Sequence, residues 1–102
     1  MGGENNMRIP EKVKIGGLVY DVSTVERLSK GDTCSAEIDF NKTTIEISSV
    51  LSPQRAKRDF LHEVTHAVFD NLGYSAHNEK EIDEIAGSLY QIIVDNPKMF
   101  EK

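Results

Sequence analysis

Cysteine occurs once in this chain, at Cys34. A lone cysteine cannot close an internal disulfide, and it cannot build a thiolate zinc cluster. It is expected to be a small, half-buried residue. Long apolar runs are also missing, since none approaches the ~18 residues a membrane span needs. The opening MGGENNMRIP lacks the apolar segment of a secretory signal. These absences lead us to expect a cytoplasmic protein with no membrane partner. Positive charge is thin as well. Residues 1–58 carry nine Lys/Arg against eight Asp/Glu, and residues 59–102 carry three against nine. A nucleic-acid binder presents a basic face. Only the run Arg55-Ala56-Lys57-Arg58 hints at one, and it reads as the solvated side of a helix. Direct contact with nucleic acid is not expected.

What is present suits one small domain. A chain of 102 residues, 38% hydrophobic and 28% charged, can bury one modest core. Residues 1–6 are polar and Gly-rich and are expected to be disordered, leaving 7–102 as a single domain. Val13 and Ile15 alternate with lysines, Gly16-Gly17 follows, and Leu18, Tyr20 and Val22 alternate again, which predicts a hairpin. Residues 23–36 are ambiguous, with a loop expected near Gly31-Asp32. Ile38 and Phe40, then Ile45 and Ile47, flank Asn41-Lys42-Thr43 as a second alternating pair. About four short strands should therefore form one antiparallel sheet with a buried face.

The period then changes. Ser52 fits an N-cap and Pro53 the first helical position. Ala56, Phe60, Leu61, Val64, Ala67, Val68 and Leu72 recur at helical spacing until Gly73. A second helix begins after Asn78, with Ile82, Ile85, Ala86, Leu89 and Ile93 as its stripe, and it stops at Asn96-Pro97. The short connection predicts that the two helices pack antiparallel. The fold class is α+β, a small sheet on two helices.

His62-Glu63-Val-Thr-His66 falls in the middle of the first helix. Residues four apart share a helix face, so His62 and His66 can direct two imidazoles at one Zn2+ ion. Glu63, a third of a turn round, can take a proton from water on that ion. The plain alternative is two ordinary histidines on a helix. The mid-helix setting, between apolar residues, favours the metal.

A catalytic zinc usually has three protein ligands. The pattern HExxHxxGxxH would put a third histidine at position 72, which is Leu72. The start of the second helix must supply the ligand instead. Glu79, on its inward side, is the first candidate. Glu81, placed to cap the helix, is the second, and His77 in the connection is the third. Glu84 falls on the polar face and is expected to be solvated.

HEVTH followed by NEKEIDEIAGSLYQIIVDNP resembles the small phage-type ImmA/IrrE-like zinc metallopeptidases, minimal relatives of the gluzincins. The resemblance spans most of residues 13–97. It implies a minimal zincin-like fold and a zinc metalloendopeptidase with metal ligands His62, His66 and Glu79. In the gluzincin pattern Glu-x-x-x-Asp, Asp83 would orient one of the zinc histidines. Related enzymes hold an extended substrate on a strand above the HExxH helix, and Lys42–Ser48 is the expected counterpart here. Longer relatives act on DNA-binding repressors in phages and mobile elements, so the resemblance implies a protein substrate. Tyr20, Tyr74 and His77 are candidates for stabilising the oxyanion. A zinc-stabilised interaction module that cuts nothing is the alternative function. A metal-free helix–sheet domain is a third.

Overall fold

In the computed structural model, residues 7–29, 31 and 35–100 are described. The expectations for residues 1–6, Asp32 and Cys34 lie outside them. Four strands form one sheet: β1 (Lys12–Ile15), β2 (Leu18–Val25), β3 (Ala36–Asp39) and β4 (Thr44–Ser48). Two helices follow, α1 (Pro53–Asn71) and α2 (Glu79–Asp95), and then a short 3-10 turn at Pro97–Phe100.

The two hairpins form where the turn chemistry puts them. Gly16 and Gly17 have φ of 59° and 92°, the left-handed pair that a two-residue turn between right-twisted strands requires. Ile15 then faces Leu18, and Val13 faces Tyr20. In the second turn the Asp39 carboxylate accepts from the backbone N–H groups of Asn41 and Lys42, both at 2.9 Å. That turn sets Ile38 opposite Ile45 and Ala36 opposite Ile47.

The sheet order is β1-β2-β4-β3, and β2 runs parallel to β4. The sheet is therefore mixed, where the alternation alone led us to expect an antiparallel one. Each hairpin is antiparallel because its own turn makes it so. The relation between the hairpins follows from the strand order: β2 ends and β3 begins at the same end of the sheet, with β4 between them. Ser49 N–H bonds to Val25 C=O at 2.8 Å and Ser48 N–H to Ser35 C=O at 2.9 Å, which pins that end.

One face of the sheet carries Ile15, Tyr20, Ile38, Ile45 and Ile47, all buried, and α1 covers it with Phe60, Leu61 and Ala67. Ser52 caps α1, its Oγ accepting from Arg55 N–H at 3.2 Å. Gly73, at φ 94°, ends it, with Tyr74 N–H bonded back to Phe69 C=O at 3.0 Å. Asn78 caps α2 by accepting from Glu81 N–H at 3.1 Å. α1 packs on β1, β3 and β4, and α2 packs on α1. Ascending residues of α1 meet descending residues of α2, Arg58 with Asp83 and His66 with Glu79, so the helices are antiparallel.

Because α1 covers α2 on one side, the buried stripe of α2 narrows to Ile82 and Ala86. Ile85 and Leu89, expected in that stripe, are 40% and 43% exposed. Val68 on α1 and Leu72 just after it are likewise exposed.

Candidate metal centre

Helix geometry puts His62 and His66 one turn apart on the same face of α1, their ring centres 5.1 Å apart. The antiparallel return of α2 brings its first residue alongside them. His62 Nε2 is 3.1 Å from Glu79 Oε1, and His66 Nε2 is 2.8 Å from Glu79 Oε2. A potential ligand atom from each residue lies within 4.8 Å of those of the other two, so the group could hold a metal ion. Two ligand atoms each ~2.1 Å from a tetrahedral ion stand ~3.4 Å apart, and the two histidine–Glu79 contacts are a few tenths of an ångström shorter than that. The donor set is two imidazole nitrogens and one carboxylate, of the type found in open zinc sites.

The other two candidate ligands lie elsewhere. Glu81 is exposed, and its backbone N–H is committed to the Asn78 cap. His77 stands on the opposite edge of the His66 ring from Glu79, its Nδ1 2.8 Å from His66 Nδ1. Glu84 pairs with Lys80 at 3.4 Å on the solvent side.

Asp83 lies where it can orient a ligand. Its Oδ1 is 3.3 Å from His62 Nδ1, while its Oδ2 accepts from Arg58 Nη2 at 3.2 Å. Burial works to raise the Asp83 pKa, but the Arg58 and His62 contacts outweigh it and hold the carboxyl below its ordinary value. Asp83 is placed to accept from His62 Nδ1, the arrangement that would leave Nε2 as the ligating nitrogen. Burial depresses the His66 pKa, helped by the neighbouring His62 and His77 and opposed by Glu79. The neutral imidazole, the form that ligates metal, is thereby favoured.

Glu63 is 8% exposed. Burial pushes its pKa up to about 7, with Glu79, Asp59 and Glu37 adding to the rise and His62 opposing it. A carboxyl near neutrality is suited to both taking up and giving back a proton. His62, Glu63, His66 and Glu79 open onto one groove of about 700 Å³, whose opposite wall includes Ala36, Glu37 and Ile38 of β3.

That wall corrects one expectation. Lys42–Ser48 was the expected substrate strand, yet β4 is an interior strand held between β2 and β3. Its ladder groups are used on both sides, and the strand that borders the groove is β3. The tyrosine candidates also fall away. Tyr20 is 1% exposed in the core, and Tyr74 lies against Phe69 in a separate hollow.

Two features were not read from the sequence. Asp59, one turn before Glu63, is a buried carboxylate in the groove wall. It accepts from Ser35 Oγ and from Arg55 Nε. The Asp59/Glu63 spacing of four was the available signal. The Arg55–Arg58 run is not simply solvated, since Arg55 and Arg58 both line the groove and engage Asp59 and Asp83. Comparison with protein-family models, with curated proteins and with solved structures returns no match.

Proposed function

We propose that this protein is a zinc-dependent metallopeptidase. The observation that carries the reading is the convergence of His62, His66 and Glu79 beside a buried Glu63, all on one groove of about 700 Å³. Zinc, when bound, supplies a Lewis acid that acidifies water and polarises the scissile carbonyl. His62, His66 and Glu79 hold it, and Asp83 orients His62. Glu63 takes the proton from the attacking water and returns it to the leaving amine, which its raised pKa suits. The β3 side of the groove gives the substrate a wall to lie against. The assignment to ImmA/IrrE-like enzymes, a phage or mobile-element setting and a repressor-type protein substrate rest on the resemblance of the motif residues.

The test is zinc content per chain on protein purified without chelator, beside Glu79→Ala, His66→Ala and Glu63→Gln. About one zinc in the wild type and in Glu63→Gln, with loss in the other two, is expected. Glu63→Gln should also lose peptide hydrolysis by roughly a hundredfold or more. Zinc retained by Glu79→Ala would move the third ligand elsewhere. Undiminished function of Glu63→Gln would leave a zinc-stabilised binding module in place of an enzyme.

A further inference from the structure

His77 is the one histidine that the metal centre does not use, and its surroundings leave it little freedom. Its ring lies edge-on to Phe40 and Phe69, with centroid distances of 6.0 and 5.8 Å. Its Nε2 is 2.8 Å from the Tyr74 carbonyl oxygen, and its Nδ1 is 2.8 Å from His66 Nδ1. The ring planes of His66 and His77 differ by 21°, and their centres are 5.1 Å apart. That separation is what two ring radii added to the N···N contact require. Both nitrogens therefore lie near the line between the ring centres, and the contact is an edge-to-edge hydrogen bond.

The proton positions follow from donor and acceptor chemistry. A carbonyl oxygen only accepts, so the proton facing Tyr74 belongs to His77 Nε2. Neutral His77 then has a bare Nδ1. The proton between the two imidazoles must come from His66 Nδ1. The contacts Glu79–His66, His66–His77 and His77–Tyr74 call for three protons and two neutral rings carry two, so the arrangement that satisfies Tyr74 and the His66–His77 contact leaves His66 Nε2 bare toward Glu79 Oε2 at 2.8 Å, a gap that a cation between them would fill.

We infer that His77 is a positioning residue that sets the tautomer of His66, so that Nε2 is the nitrogen offered to the metal. The inference rests on the metal-centre reading above. Without an acceptor at Nδ1, neutral His66 has a better choice: it can carry its proton on Nε2 and donate it to Glu79, which occupies the ligand nitrogen. The two metal histidines are thus held by different means. His62 is oriented by Asp83, a carboxylate. His66 is oriented by an uncharged imidazole fixed to a backbone carbonyl in the connection between the helices.

The test uses the full chain loaded with zinc, two variants, and nitrogen NMR of the histidine rings. Zinc content of the wild type comes first. If the chain takes up none, the metal-centre reading is overturned, and the inference with it. With zinc bound, His66 should show a metal-bound Nε2 and a protonated Nδ1, with N–N coupling across the hydrogen bond to His77 Nδ1. His77→Phe keeps a ring between Phe40 and Phe69 but has no acceptor. It should weaken zinc affinity by roughly ten- to a hundredfold. His77→Asn loses the ring but places a carbonyl oxygen near the old Nδ1, and it should recover most of that loss. Three results would overturn the inference while zinc binding stands. One is a metal-bound His77, which would make it a ligand. Another is His66 bound through Nδ1. The third is zinc affinity that follows the ring, intact in His77→Phe and lost in His77→Asn, which would leave His77 a packing residue.

Discussion

At the scale of single residues, Glu63 sets the balance between stability and chemistry. Its carboxyl titrates near 7 in the fold against an ordinary 4.5, because burial disfavours the anion. The fold therefore binds this proton more tightly than the unfolded chain does. Its contribution is most favourable below pH 4.5, is lost as pH rises from there through about 7, and changes little above. Glu63→Gln removes the ionisation. In metal-free protein, denaturant melts should show the Gln variant gaining on the wild type across that window, by up to about 3 kcal/mol at its top. A gap between the two proteins that stays flat with pH would mean that Glu63 is not desolvated in the fold. The pair Asp59 and Glu63 also shows what local sequence conceals. Both lie one turn apart on α1, but that they face the same groove as Glu37 depends on where β3 packs.

At the scale of elements, the ends of α1 are set by local chemistry and can be tested locally. Ser52→Ala removes the side-chain acceptor for Arg55 N–H and should cost about 1 kcal/mol, a drop in Tm of roughly 4–8 °C for a chain this size. Gly73→Ala forces a side chain into φ 94° and should cost about 1–2 kcal/mol. The second change has an added consequence. Gly73 aims the connection that carries Tyr74, His77 and the start of α2, so zinc affinity should fall along with stability. Titration of zinc into Ser52→Ala and Gly73→Ala separates the two effects, since the Ser52 cap is at the far end of α1 from Gly73. Equal affinity in both would disconnect the C-terminal stop of α1 from the site.

At the scale of the whole molecule, the site lies where the start of α2 crosses the middle of α1. α2 packs on α1 through a thin buried stripe, and Glu79 at its start meets both histidines of α1. A bound ion would add a bond between the helices. With free zinc at a hundredfold its Kd, stability should rise by about 2.7 kcal/mol, on the order of 10–20 °C in Tm, and chelator should reverse it. Hydrogen exchange should place the gain unevenly. The first turns of α2 should gain more protection than the β1–β2 hairpin. Equal gains everywhere would mean that the ion does not act by tying α2 to α1. Across the described residues, no helix is long and apolar enough to cross a membrane.

The sequence by itself determined what is local. Gly16-Gly17 and Asp39 with its turn made the hairpins, and Ser52, Gly73 and Asn78 bounded the helices. The four-residue spacing aligned His62 with His66, because each of these depends on atoms a few residues apart. Glu79 was legible to the extent that a short connection forces α2 back along α1. Only the tertiary structure decided the rest. It joined two antiparallel hairpins through a parallel pair, made β4 interior and β3 the wall of the groove, and left Ile85 and Leu89 exposed. It turned Arg55 and Arg58 toward buried and half-buried carboxylates, and it aligned His77 with His66 on a line ending at a backbone carbonyl. Those outcomes depend on which faces meet once the hairpins and helices pack, and that choice is made by the summed burial of the whole core, not by any one stretch of chain.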